Sequence, residues 1–194
     1  GVGLDHPLLR AAASRGLPIV AEVELAWSFL AGSTGSDATV VGITGSNGKS
    51  TTTAMTGALL AGAGFAVEVC GNIGRPLAAV VDGPPDRIFV VELSSFQLET
   101  IDHFRPRAAA LLNISPDHLD RHGDMAGYVA AKRLIFHRQT RPRAAVIGVD
   151  DPHCEEIFRE LKAADEQEVI PISSGRRVEN GVFGIACNYA GHVR

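Results

Sequence analysis

The sequence predicts an α/β fold, a mostly parallel sheet with helices on both faces. Three observations predict it. Short apolar runs rich in Val and Ile recur without polar alternation, the pattern of strands buried on both faces. Segments of helical character separate them, as crossover connections require. The first strong strand runs into a glycine-rich turn that opens a helix, the build of a phosphate-binding βα unit.

Taken in order, a helix is expected over Pro7–Ser14, a short strand over Pro18–Ala21 and a second helix over Glu22–Leu30. These are too few residues to bury a core alone, so residues 1–37 are read as the end of a preceding domain plus a linker. The linker is Ala31–Thr39, AGSTGSDAT, where small and polar residues dominate. Residues 38–194 then form the main domain. Val40–Thr44 is a β-branched strand, and Lys49–Ala63 a helix stopped by Gly64. Strands follow at Phe65–Val69, Ile88–Leu93 and Ala108–Ile114. Met125–Phe136 is a helix with Asp124 placed to cap it. A strand at Ala144–Val149, a helix at Pro152–Leu161 and a strand at Val169–Ile172 complete the alternation. In such sheets ligands bind beyond the carboxyl ends of the strands, where the chemistry-bearing residues also fall.

Composition narrows the function. A chain of 194 residues suits one domain with a piece of another. Hydrophobic residues at 45% and charged residues at 21% exclude a disordered tail, a fibrous repeat and a coiled coil. No apolar run approaches the roughly 18 residues of a membrane-spanning helix. With a net charge of −4 and no basic stripe, nucleic-acid binding is disfavoured. Cys70, Cys154 and Cys187 are widely spaced and form no CxxC pair, which favours reduced thiols over a disulfide frame or a zinc site. The opening GVGLDHPLL carries neither Met nor a signal peptide and reads as the interior of a longer protein.

The sharpest motif is Gly45-Ser46-Asn47-Gly48-Lys49-Ser50-Thr51, between the strand Val40–Thr44 and the helix that follows. Its glycines let the backbone turn N–H groups around a polyphosphate, and the helix N-terminus adds partial positive charge. Lys49 can reach the β- and γ-phosphates, and the Ser50 hydroxyl can ligate Mg²⁺. The position five before Gly48 is Ile43 rather than glycine, so the match to the longer phosphate-loop pattern is incomplete. The bland alternative is a βα turn that binds nothing.

Glu92 ends the apolar run Ile88–Leu93. An acid there, beside a phosphate loop, suits a Mg²⁺ ligand, although a strand-end Glu can equally face solvent. His118, Asp120 and His122 have the spacing of metal ligands, but Pro116 and Gly123 bracket the segment and no third Cys or His stands near. Zinc is therefore disfavoured, and His122 is read as a surface residue. Lys132 shares one helical face with Met125, Val129 and Phe136. It is either a snorkelling lysine or a desolvated amine held neutral and reactive. A neutral amine can add CO₂ to become a carbamate, an anionic ligand for a second Mg²⁺.

TGSNGKS, GNIG (Gly71–Gly74), ELSSFQLE (Glu92–Glu99), DHLDRH (Asp117–His122) and YVAAKRLIF (Tyr128–Phe136) occur in the order found in the Mur ligase family, which this chain resembles from Gly1 to about Val149. GNIG and ELSSFQLE resemble the D-glutamate-adding branch. The resemblance implies the central ATP-binding domain of a ligase of cell-wall precursor synthesis, preceded by the tail of a Rossmann-like, uridine-nucleotide domain. It implies ATP at Gly45–Thr51, catalytic roles for Lys49, His118 and Lys132, and substrate contacts from Asn72, Ser94, Gln97 and His118. It also implies two Mg²⁺ ions, on Ser50, Glu92, His118 and Lys132, the last as its carbamate. Substrates would be UDP-N-acetylmuramoyl-L-alanine and D-glutamate, without nucleic acid or membrane insertion, in a cytoplasmic monomer. Other Mur ligases, a folylpolyglutamate synthase-like ligase and a nucleotide-binding module without turnover are the alternatives. The 194 residues alone are expected to lack ligase turnover.

Overall fold

The computed structural model describes residues 5–33, 39–84 and 86–184. Seven strands form one sheet: β1 (Thr39–Thr44), β2 (Val67–Gly71), β3 (Ile88–Glu92), β4 (Ala108–Leu111), β5 (Ala144–Gly148), β6 (Glu168–Ser173) and β7 (Val182–Phe183). Their order is β2-β3-β1-β4-β5-β6-β7, and every neighbouring pair is parallel. The helices are α1 (Pro7–Ser14), α2 (Glu22–Ser33), α3 (Lys49–Gly62), α4 (Ser95–Leu98), α5 (Leu119–His122), α6 (Met125–Arg133) and α7 (Pro152–Ala164). Beyond α6 a 3-10 turn, Leu134–Phe136, completes the helix expected through Phe136.

This α/β class is the one expected, because the central strands are apolar along their middle: Phe89, Val90 and Val91 of β3 are all buried. Several expectations differ: the strand expected at Phe65–Val69 lies at Val67–Gly71, that at Ala108–Ile114 ends at Leu111, and β7 was not expected. Pro18–Ala21 forms no strand. Ala21 N donates to Thr100 O at 3.5 Å, while Ala21 O accepts from Glu24 N and Leu25 N at the start of α2. Of the expected linker Ala31–Thr39, residues up to Ser33 continue α2 and Thr39 opens β1. Residues 34–38 and Cys187 lie outside the described residues.

The division at residue 37 assigns α2 to a preceding domain, but α2 packs into the core of the sheet. Val23, Ala26, Trp27 and Leu30, spaced along one helical face, are buried among Leu77, Phe104 and their neighbours. Trp27 meets Phe104 edge to face at 5.6 Å. Glu24 fixes the joint. Its carboxylate accepts from the backbone N–H groups of Asp102, His103 and Phe104 at 2.9, 2.8 and 2.9 Å. Burial pushes this carboxyl up, but the three donors outweigh it and hold the pKa below its ordinary value.

Glu24→Ala is therefore expected to destabilise the chain by about 1.5–3 kcal/mol in urea denaturation at neutral pH. A depressed folded-state pKa gives stability that is present above the unfolded value and lost as pH falls through the folded one. The gap between parent and variant should thus hold at neutral pH and close below about pH 4.5.

Candidate functional site

Parallel strands put all their carboxyl ends on one edge, and β1 lies between β3 and β4. The loop Gly45–Gly48 leaves β1 at that edge. Gly45 and Gly48 have φ of 155° and 82°, which only glycine adopts without strain. At Gly45 a Cβ would also stand 3.1 Å from that of Leu112. Gly48 leads into α3 with no side-chain cap, so the amides of Lys49, Ser50 and Thr51 open a helix with no acceptor inside it. The side chains of Ser50 and Thr51 are exposed on this first turn. Lys49 folds back over the loop, its Nζ donating to Gly45 O at 2.9 Å and Ser46 O at 3.0 Å.

Ser46 and Asn47 are tied to the segment that leaves β4. Ser46 N donates to Asn113 O at 2.9 Å. Ser46 Oγ donates to Ser115 O at 3.0 Å, accepts from Ser115 N at 2.9 Å and lies 3.0 Å from Tyr128 Oη. Asn47 N donates to Asn113 Oδ1 at 2.8 Å, and Asn113 Nδ2 donates to Asn47 O at 3.1 Å.

Lys132 does not snorkel. It is 2% exposed, and its Nζ donates to Gly45 O at 2.8 Å, the same oxygen that Lys49 uses. The ammonium also lies 4.7 Å from the centre of the Tyr128 ring. Burial first, and repulsion from Lys49 second, pull its pKa down to about 8.

Glu92 does not face solvent; it is 1% exposed. Its Oε1 accepts from Asn72 Nδ2 at 2.8 Å, and Asn72 N donates to Glu92 O at 2.9 Å. Glu92 Oε2 is buried without a partner. A buried, unpaired carboxylate oxygen is costly unless something binds it, and a hard oxygen donor suits Mg²⁺. Ser94 and Gln97 form a capping box on α4: Gln97 N donates to Ser94 Oγ at 3.3 Å, and Ser94 N to Gln97 Oε1 at 3.0 Å. Both side chains also line an open cleft of about 490 Å³, with Asn72, Phe96, Val20 and Arg121.

His118 sits in the left-handed region at φ 52°, with its side chain half exposed, 3.4 Å from Asp117. His122 departs from the surface position expected for it: its side chain is 3% exposed. Its Nε2 lies 2.9 Å from Ser95 Oγ and its Nδ1 3.1 Å from Glu99 Oε1. Burial lowers its pKa, with Glu99 opposing. The Phe96 ring touches both His118 and His122, at 5.1 and 5.6 Å between centroids, and His122 meets Tyr128 at 5.2 Å. A continuous line of rings therefore joins His118 to Lys132. Among the described residues no group of three or more His, Cys, Asp or Glu side chains is arranged to hold a metal ion.

Asn113, Ser115 and Tyr128, with Phe96 and Glu99, join the site beyond the residues expected from the sequence. Two signals pointed to them: Phe96, Glu99 and Tyr128 fall inside ELSSFQLE and YVAAKRLIF, and Asn113 and Ser115 follow β4 at the edge where β1 delivers its loop.

Residues 43–180 match the model of the Mur ligase middle domain family, and the chain belongs to that family. UDP-N-acetylmuramoylalanine–D-glutamate ligase of Caulobacter vibrioides is 44% identical over 190 residues, covering 95% of this chain and 40% of its own. The ligase of the same name from Acidobacterium capsulatum is 46% identical over 184 residues, 94% of this chain and 38% of its own. The chain thus spans about two fifths of the length of these curated relatives. The crystal structure of MurF ligase from Thermotoga maritima in complex with ADP has the same fold, with a TM-score of 0.62 at 23% identity. That match covers 80% of this chain and 36% of the other.

The chain has three lysines, Lys49, Lys132 and Lys162, so their side-chain carbons are separable by NMR. The ¹³Cε signal of Lys132 is expected to titrate near pH 8, and Lys49→Met should move that midpoint upward by removing the neighbouring charge. A Lys132 midpoint above pH 10 would contradict the burial described here.

Proposed function

We propose that this chain is the ATP-handling part of an amide ligase that joins D-glutamate to UDP-N-acetylmuramoyl-L-alanine in peptidoglycan precursor synthesis. One observation carries the reading: Lys49 and a buried Lys132 converge on one carbonyl of a loop that opens an uncapped helix. The curated relatives named for this reaction support the choice of substrates.

In the first step the substrate carboxylate attacks the γ-phosphorus of ATP, the bond to the bridging oxygen breaks, and ADP leaves. The acyl phosphate that results is attacked by the amine of D-glutamate, which expels phosphate and loses a proton. Little covalent work falls to the protein, which positions groups and balances charge. Lys49 exchanges the carbonyls of Gly45 and Ser46 for phosphate oxygens, a stronger, charge-assisted pairing. The amides of the first turn of α3 add their dipoles. Asn72, Ser94 and Gln97 border the cleft that would take the muramoyl substrate, His118 lies against the Phe96 ring of its wall, and the apolar side chains of Phe96 and Val20 would limit water there.

Glu92 and the Ser50 hydroxyl would hold one Mg²⁺, and His118 with carbamylated Lys132 a second. Bound there, the ions would supply the positive charge that lets a carboxylate approach a triphosphate. The lowered proton affinity of Lys132 keeps part of it as free amine near neutral pH, the form that reacts with CO₂. The chain before α2 would lead in from a preceding uridine-nucleotide domain, while α2 itself packs on the sheet. We place the protein in the cytoplasm as a monomer; no helix among the described residues is long and apolar enough to cross a membrane.

Calorimetry with Mg²⁺ and ATP tests the reading on this chain. The parent should bind, and Lys49→Ala should lose affinity on the order of a hundredfold while staying folded, the scale of two lost charge-assisted hydrogen bonds. Equal binding by both would sink the phosphate-loop assignment. In a full-length ligase carrying this domain, Lys132→Arg should be as inactive as Lys132→Ala, because a guanidinium keeps the charge and offers no free amine.

A further inference from the structure

The amides of the phosphate loop are not equally open. The β1–β4 ladder continues past the last paired residues through Leu112 N, which donates to Thr44 O at 3.0 Å, and Ser46 N, which donates to Asn113 O at 2.9 Å. There the backbone of the β4 segment stops pairing with the backbone of the loop, its next groups meeting the Ser46 side chain instead, and for Asn47 a side chain takes over. Asn113 Oδ1 accepts from Asn47 N at 2.8 Å, and Asn113 Nδ2 donates to Asn47 O at 3.1 Å. One carboxamide therefore answers both backbone groups of one loop residue, as a neighbouring strand would. Ser46 and Asn47 thus have their N–H groups engaged before any ligand arrives. Lys49, Ser50 and Thr51, at the start of α3, have no acceptor within the helix.

We infer that Asn113 is a positioning residue for the phosphate loop: its carboxamide extends the β1–β4 ladder onto Asn47 and holds the loop so that the first turn of α3 presents its amides to phosphate. The inference rests on the phosphate-binding role proposed above. It divides the loop by task. Ser46 and Asn47 anchor the turn, and the residues after Gly48 receive the anion. The residue type follows from chemistry. A carboxamide offers an acceptor and a donor side by side. Aspartate offers two acceptors, one of them set against Asn47 O. Leucine keeps the volume and offers neither.

The test uses this chain with Asn113→Leu and Asn113→Asp, and reads two quantities. The first is amide hydrogen exchange at Asn47 without ligand, by NMR. The second is the affinity for Mg²⁺–ATP and for tripolyphosphate, by calorimetry. In Asn113→Leu the Asn47 amide should exchange about tenfold faster, and both polyphosphates should bind about tenfold more weakly and to the same extent. Exchange at Val146 and Ile170, in the β5–β6 ladder, should not change, whereas a merely structural role would loosen these as well. Asn113→Asp keeps the acceptor and should leave the Asn47 amide protected. Should Asn113→Leu not fold, Asn113→Ala carries the same expectations. Unchanged exchange at Asn47, or unchanged polyphosphate affinity, in the folded variant overturns the inference. A parent chain that binds neither polyphosphate overturns the proposed function instead, and the exchange comparison still decides whether Asn113 holds the loop.

Discussion

One carbonyl oxygen organises the site. Gly45 O, at the end of β1, accepts from both Lys49 and Lys132. Two ammonium groups on one oxygen repel each other, and burial adds a desolvation cost for the one that is 2% exposed. The arrangement stands because the carbonyls of Gly45 and Ser46 accept from Lys49, and Gly45 O and the Tyr128 ring face the buried Lys132. A polyphosphate would relieve the same crowding by supplying negative charge where the loop now supplies only dipoles.

Everything else holds that oxygen in place. The parallel sheet sets β1 between β3 and β4, so the loop emerges beside Glu92 on one flank and Asn113 on the other. Helix α6 crosses the same edge and delivers Tyr128 to Ser46 and Lys132 to Gly45, one helical turn apart. Short helices α4 and α5 are joined by His122, which reaches Ser95 and Glu99. Arg121 reinforces the joint, pairing with Glu99 at 2.7 Å. The ring line from His118 to Tyr128 packs the wall of the open cleft against the loop after β1.

Much of this was legible in the sequence, where the signal was local. Val40–Thr44 and Ile88–Leu93 are apolar runs that only a doubly covered strand explains, and both became central strands. Lys132 stood out because three apolar residues share its helical face. What escaped was set by contacts distant in sequence. Asn113 meets Asn47 across 66 residues, and no pattern near either names the other. The apolar face of α2 is readable, but not the identity of what it covers, so Trp27 was assigned away from the core that buries it. His122 lies on a four-residue helix between breakers, too short for periodicity to reveal an inward face. The capping box of Ser94 and Gln97 is a local signal with a known spacing, and the family resemblance drew attention to these residues for another reason.

The most direct measurement is a crystal structure of this chain with Mg²⁺ and a non-hydrolysable ATP analogue. Lys49 Nζ is expected to leave Gly45 O and Ser46 O for phosphate oxygens, and Glu92 Oε2 to gain a partner. Ser46 N and Asn47 N should stay on Asn113. A nucleotide bound away from this loop, or one bound at it with Lys49 still on its carbonyls, would show that Lys49 and Gly45 O do not form the phosphate site.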